Sequence, residues 1–364
     1  MEFALTEDQK MMQDSIGRTL ERVCPLERVR KSADVAEPFA SDVFKALIDL
    51  GVPGILIPEA FGGLGLSLLD AGLAHEMLGR HIAPVPFAGN SVMAPLALIG
   101  SGSELQKRTW LPRLASGEAT AGVAVSEQAS GAREKAQISS KAGRLDGRSL
   151  FVVDFAGANI FIVADKYGGL YLVNAQAKGL HKTLLTSIDA TRAIGELRFD
   201  NVEAEPLAAG NPQATLERMI EAGRIVLAAD TLGAAEHMID KAVAYTKERK
   251  QFGRVIGSFQ AVKHMCAEMI AELEPCRALV WYAAYAFDEF PAQSRLMAAH
   301  AKAHLSEVGR HVARTATEVH GGMGFTDLVG LHFWFKRVGF NRQILGSPEK
   351  ARHDAAVAQG WVGN

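Results

Sequence analysis

The chain has 364 residues, enough for two or three domains and a sizeable core. Its apolar fraction of 48% and charged fraction of 22% are ordinary for a soluble globular protein, and a net charge of −2 gives no electrostatic case for nucleic acid or an anionic membrane surface. Three cysteines (Cys24, Cys266, Cys276), an odd count with no CxxC pair, read as buried small hydrophobes in a reducing compartment. No run is long and apolar enough to span a bilayer, and the acidic start MEFALTEDQK has no apolar core like that of a signal peptide. A cytoplasmic protein is the expectation.

Taken in order, Thr6-Glu7-Asp8-Gln9 is a capping box, and apolar residues at helical spacing follow from Met11 to Val29. A second helical pattern covers about Ser41 to Leu50. Gly51 to Ser67, GVPGILIPEAFGGLGLS, is a short apolar run followed by a glycine-rich loop. It lacks GxGxxG and no βαβ unit surrounds it, so it is not a dinucleotide fingerprint. Helical patterns resume over Leu68 to Arg80, Asn90 to Ile99 and Glu104 to Ala115, the last capped by Ser103. Residues 1–118 therefore read as an all-helical domain.

The periodicity then changes. Ala121 to Ser126, Gln137 to Lys141, Ser149 to Val153, Ile160 to Ala164, Leu170 to Val173 and Ile194 to Phe199 are short apolar or alternating runs separated by Gly and Asp turns. They predict an antiparallel β domain over 119–210. The rest, 211–364, returns to helical spacing. Asn211 caps and Pro212 opens a helix to about Lys250, and Gly253 to Gly257 breaks it. Further helices run from about Phe259 to Glu289 and Gln293 to His320, and a fourth after Gly321-Gly322-Met323-Gly324. An up-and-down four-helix bundle is predicted, so the fold class is α+β.

The turn YTKERKQFGRVIGSFQAVKH, Tyr245 to His264, joins two of these helices. Arg249 brings a planar donor fork suited to a pyrophosphate, Phe252 an aromatic ring, and the glycines close backbone approach. The same residues fit a plain helical corner with a solvated Arg–Lys pair. Glu318 to Phe325, EVHGGMGF, fits either a glycine C-cap or a phosphate-facing backbone turn. His300 and His304 have a metal-like i, i+4 spacing but no third ligand pattern, and read as a solvated or core pair.

YxxxRxQFGxxIGxFQAxxH resembles the central signature of the acyl-CoA dehydrogenase family of FAD flavoproteins. VPEAFGGLGLS, AVSEQASG and EVHGGMGF resemble further segments of that family, so the likeness runs from Thr6 to about Arg352. It implies a helical N-terminal domain, a middle β domain and a C-terminal four-helix bundle. It implies FAD as cofactor, contacted by Ser126, Phe151, Arg249, Gln251, Phe252, Gln260, Glu318, Gly321 and Gly322, with Arg224 at the substrate. Glu318 replaces the family's usual Gln, and Val153 lacks a hydroxyl common at that place. The two turns are expected at opposite ends of long helices, in a site shared between subunits.

The reaction implied is α,β-dehydrogenation of an acyl-CoA thioester, with electrons passing to electron-transfer flavoprotein or a similar acceptor. A carboxylate should take the α-proton. At the family's common base position this chain has Leu345, and at the alternative position, just before Arg224, it has Gly223. Asp230, seven residues along the same helix, is the candidate substitute, against the competing reading of a polar contact between helices. Gly223→Glu is the change expected to restore a base. The run HFWFKRVGFNRQILG, His332 to Gly346, resembles a shorter bacterial subgroup acting on steroid side chains and other bulky acids, some as α2β2 tetramers with a homologous subunit. Two functions follow: a dehydrogenase forming a homo-oligomer, or a non-catalytic subunit completing its partner's FAD site in a heterotetramer.

Overall fold

A computed structural model describes residues 4–35 and 38–363; the first three residues of the acidic N-terminal stretch lie outside them. The N-terminal region is helical: α1 (Glu7–Val23), α2 (Leu26–Asp34), α3 (Ser41–Ile48), α4 (Leu68–Arg80), α5 (Ala94–Ser101) and α6 (Glu104–Ala115). Capping boxes open α1 at Thr6, α4 at Ser67 and α6 at Ser103. The helix predicted from Met11 to Val29 is two, because Pro25 lacks the amide needed to continue it. A single π-helical turn over Ala88–Met93 leads into α5.

The middle of the chain forms β1 (Ala121–Ala124), a short α7 (Ser126–Ser130), β2 (Ile138–Lys141), β3 (Arg144–Val153), β4 (Ile160–Ala164), β5 (Leu170–Asn174), β6 (Leu180–Leu184), β7 (Ile194–Glu203) and β8 (Glu205–Pro206). They make one sheet in the order β6-β7-β3-β1-β4-β5-β8, with β2 on β3. It is antiparallel except where β1 runs parallel to β4, Ala121 opposite Ile160. The sequence missed β6, whose residues LHKTL are almost all exposed and carry no apolar alternation. α7 replaces the end of the first predicted strand.

The C-terminal region holds α8 (Pro212–Glu248), α9 (Gln260–Glu289), α10 (Pro291–His320), α11 (Leu331–Gln343) and α12 (Pro348–Ala358). The single fourth helix predicted after the glycine turn is two, split where Leu345 and Gly346 turn left-handed and Ser347 caps the next helix. α8 is the axis of the molecule. It packs against α4 and α5 on one side and α9, α10 and α11 on the other. Asn211 Oδ1 accepts from the Ala214 amide and Pro212 opens the helix, as predicted.

One charged cluster lies wholly inside this packing. Asp230 of α8 accepts from Arg192 (2.6 Å), Arg337 of α11 (3.1 Å) and Asn341 (2.6 Å), with His75 of α4 at 3.2 Å. Arg337 also donates to Asp189 and Thr191, each at 2.5 Å. Burial depresses the His75 pKa to about 3, and burial likewise holds His237 at about 3 where it stacks on Trp334. The unfolded chain therefore binds protons, below the ordinary histidine value, that the folded chain refuses. Stability should fall as pH drops from about 6.5 toward 3, for His75 by up to about 1.4 kcal/mol per pH unit. The urea midpoint should be lower at pH 5 than at pH 7.5. Equal midpoints would mean that these rings carry a proton in the folded state.

Candidate active site and cofactor-binding surfaces

A cavity of about 190 Å³ lies where the middle sheet meets α11. Its sheet side is made by a bulge in β3. The β3–β7 register shifts between Ser149 and Val152, and Phe151 takes a left-handed backbone with φ 54°. Bulges of this kind re-aim a side chain, and here the Phe151 ring becomes part of the cavity wall. Ser126 Oγ donates to the Phe151 carbonyl at 2.9 Å and fixes the bulge. Glu127 anchors α7 to the same strand: its two oxygens accept from Ser149 Oγ and from the Leu150 amide, each at 2.7 Å. Burial pushes the Glu127 carboxyl above the usual range, although both hydrogen bonds oppose the shift.

Gly339, Phe340, Gln343, Ile344 and Leu345 face the sheet from α11 and the turn after it, and Thr186, Ser187, Ile188 and, from β7, Ile194 complete the lining. Leu345 is held by its backbone. Its φ is 57°, and its carbonyl accepts from Arg224 Nε at 2.9 Å. Arg224 also donates to the Ala129 carbonyl at 3.1 Å and pairs with Asp354 at 2.8 Å. Its guanidinium is thus a tie between α8, α7, the Leu345 turn and α12. A Cβ at Gly346, whose φ is 107°, would come within 3.0 Å of Arg224 Nη2.

The two positions where a base was sought touch each other. A Cβ added at Gly223 would lie 2.5 Å from Leu345 Cδ1 and 2.9 Å from Met93 Sδ. Leu345 is 1% exposed and Met93 fully buried, so the leucine fills the space that the glycine leaves. Gly223→Glu by itself therefore has no room, contrary to the sequence expectation. Asp230, the candidate substitute base, lies elsewhere. Two helical turns, about 10 Å, farther along α8, it is absent from the cavity lining and its oxygens are taken by Arg192, Arg337 and Asn341. Burial would raise its pKa, but Arg337 and Arg192 outweigh that and hold it well below the carboxylate range. Its competing reading, a polar contact between helices, is what the structure contains.

On the other side of Arg224 a second cavity of about 370 Å³ runs between the loop at Lys166-Tyr167-Gly168 and the first turns of α8. Lys166, Arg295 and Lys350 join Arg224 on its walls, with Glu217, Glu221 and Asp354.

The remaining sequence candidates sit far from both cavities. Arg249, Gln251, Phe252, Gln260, Glu318, Gly321 and Gly322 are all exposed. The turns are not at opposite ends, as expected, but together at the far end of the bundle. α8 and α10 finish side by side, and Tyr245 stacks on His320 with ring centroids 4.7 Å apart. From Gly223 to the end of α8 at Glu248 is about 37 Å of helix, so this end and the cavity belong to separate regions of one protomer. Phe252 combines a left-handed φ of 54° with 92% exposure, and Phe325 and Leu328, in and after the glycine turn, are also bare. Cβ atoms at Gly321 or Gly322 would meet nothing within 4 Å. Arg249 forms no ion pair among the described residues, while the Gln251 amide bonds only to the Lys250 carbonyl.

Sequence reasoning missed Arg133, Thr186, Ser187 and Ile188 as cavity residues. They lie in loops with no periodic signal. Among the described residues no cluster of side chains suits a metal ion, and no helix is long and apolar enough to cross a membrane.

Comparison with known proteins gives the following matches. Residues 6–118 match the family model "Acyl-CoA dehydrogenase, N-terminal domain" and residues 213–358 "Acyl-CoA dehydrogenase, C-terminal domain". The chain is 28% identical over 352 residues to acyl-CoA dehydrogenase IpdE2 of Mycolicibacterium smegmatis, covering 95% of this chain and 97% of that protein. Among solved structures, a Tcur3481-Tcur3483 steroid ACAD G363A variant superposes with a TM-score of 0.88 at 28% identity, covering 97% of this chain and 98% of the other. The ChsE4-ChsE5 complex from Mycobacterium tuberculosis has a TM-score of 0.90 at 24% identity with full coverage of both chains, a likeness of fold.

Proposed function

Because the chain belongs to the acyl-CoA dehydrogenase family, we propose that it binds FAD and serves as the base-less subunit of a heteromeric acyl-CoA dehydrogenase, completing its partner's FAD site. The observation that carries this reading is Leu345 packed on Gly223: an alkyl group, unable to accept a proton, closes both places where the family's base would stand. The carboxylate that does line the cavity, Glu127, already accepts two hydrogen bonds.

The residues suit the cofactor. The cavity offers a largely apolar slot with the fixed Phe151 ring, and Ser126 Oγ retains lone pairs after donating to the Phe151 carbonyl. The far end offers Arg249, exposed Phe252 and open glycine backbone at Gly321 and Gly322, which suit phosphate and adenine. No extended flavin dinucleotide covers about 37 Å, so the two surfaces serve different FAD molecules, each shared across an interface. Bound FAD supplies the hydride acceptor for α,β-dehydrogenation. Arg224 holds the Leu345 turn against α7, and Lys166 and Arg295 on the mixed-charge walls of the second cavity suit the phosphates of a CoA thioester. The word steroid in the name of the solved structure at 28% identity favours a bulky acyl group, and an electron-transfer flavoprotein is the acceptor we expect.

The test is co-expression with a homologue that keeps glutamate where this chain has Leu345. Alone, the chain should hold little flavin and should not bleach with acyl-CoA; the complex should be a yellow tetramer that does. A yellow homo-oligomer bleached by acyl-CoA would sink the base-less reading in favour of a self-sufficient dehydrogenase. Within the complex, Arg249→Ala should weaken FAD by roughly 10- to 100-fold, the loss of about 1.5–3 kcal/mol from a charge-assisted contact. Unchanged flavin content would make Arg249 a solvated charge.

A further inference from the structure

We propose that Arg133 is a cofactor-contacting residue that favours the reduced, anionic form of a flavin ring seated in the cavity. The proposal rests on the reading that this cavity takes the ring of an FAD. Of the side chains lining it, only Glu127 and Arg133 carry charge. Glu127 is anchored to β3 by both oxygens. Arg133 forms no ion pair among the described residues, and the carboxylate next to it, Glu134, belongs to Arg148 at 3.0 Å.

The guanidinium lies over the Phe151 ring, 5.5 Å from its centroid. A planar cation on an aromatic face is a favourable stack, and the pinned Phe151 bulge makes the face rigid. The loop that carries Arg133 is tightly wound: Gly131, Glu134 and Lys135 all have positive φ, and the Ala136 amide bonds back to the Arg133 carbonyl at 2.8 Å. The cation is therefore presented to the slot by its backbone rather than by chance. With Leu345 in place of a carboxylate, no negative charge on the opposite wall offsets it.

Two-electron reduction of a flavin adds two electrons and one proton to the neutral ring and leaves one negative charge there. A cation beside the slot that is held in no ion pair stabilises that charge and does nothing comparable for the neutral ring. Reduced FAD should therefore bind at least tenfold tighter relative to oxidised FAD than it does without Arg133, which is about 30 mV for a two-electron couple.

The experiment uses the full chain, in its complex where the complex is what holds flavin. It titrates oxidised FAD, and FAD reduced beforehand with dithionite under anaerobic conditions, into flavin-stripped wild type, Arg133→Ala and Arg133→Lys. Arg133→Ala should lose most of the preference for reduced FAD with oxidised affinity nearly unchanged, and Arg133→Lys should keep most of it. Equal weakening of both forms would reduce Arg133 to a general anchor and overturn the proposal, as would an unchanged ratio. Failure of wild type to bind FAD at this cavity in either form would overturn the cavity reading together with it.

Discussion

Leu345→Glu is expected to raise the rate at which an acyl-CoA thioester reduces flavin in this subunit by at least about 10²-fold, the lower end of what a positioned general base contributes. The position is prepared for it. Leu345 already stands in a left-handed backbone that Arg224 holds through its carbonyl, and glutamate is strained there no more than leucine. Leu345 itself lines the cavity, and its side chain packs on Gly223 of α8. Leu345→Gln is the control, with the same shape and no base. Gly223→Glu should behave differently. Its Cβ alone would press Leu345 and Met93, and overpacking of that kind costs about 1–3 kcal/mol. It should lower the melting temperature without speeding flavin reduction, and only Gly223→Glu with Leu345→Ala should give both room and a carboxylate. Stopped-flow absorbance of the flavin decides the matter. A wild-type rate equal to that of Leu345→Glu would mean that a base exists which the cavity lining does not reveal.

Asp230→Ala is expected to cost about 3–5 kcal/mol, because it leaves Arg192 and Arg337 buried without their shared counter-charge. In a chain of this size the melting temperature should fall by about 4–7 °C. Asp230→Asn keeps the shape and removes only the charge, so it should lose most of the same amount. If Asp230 were instead a base, its asparagine variant would keep its stability and lose turnover. A melting temperature within about 2 °C of wild type would show that the cluster stabilises nothing. The effect reaches the cavity through its walls: Asp189 and Thr191 adjoin Thr186 to Ile188, and Arg337 and Asn341 share α11 with Gly339, Phe340 and Gln343.

By itself, the sequence determined most of the helices and their ends, because those signals are local. Thr6, Ser103 and Asn211 cap the next turn with their own side chains, and Pro212 starts α8 with a preset φ. It also determined that positions 223 and 345 have no carboxylate, since a residue's chemistry needs no fold to be read. What joins positions far apart was decided only by tertiary packing. Asp230 and Gly223 share a helix face in the sequence, yet one meets two guanidiniums from Arg192 and Arg337 and the other meets Leu345. Gly321 and Arg249 come to one end of the bundle because α8 and α10 run parallel with α9 returning between them, and a helical period is the same in either direction. Arg133 lies in a polar loop, and only the bulge that turns Phe151 beneath it gives its charge a place in the cavity.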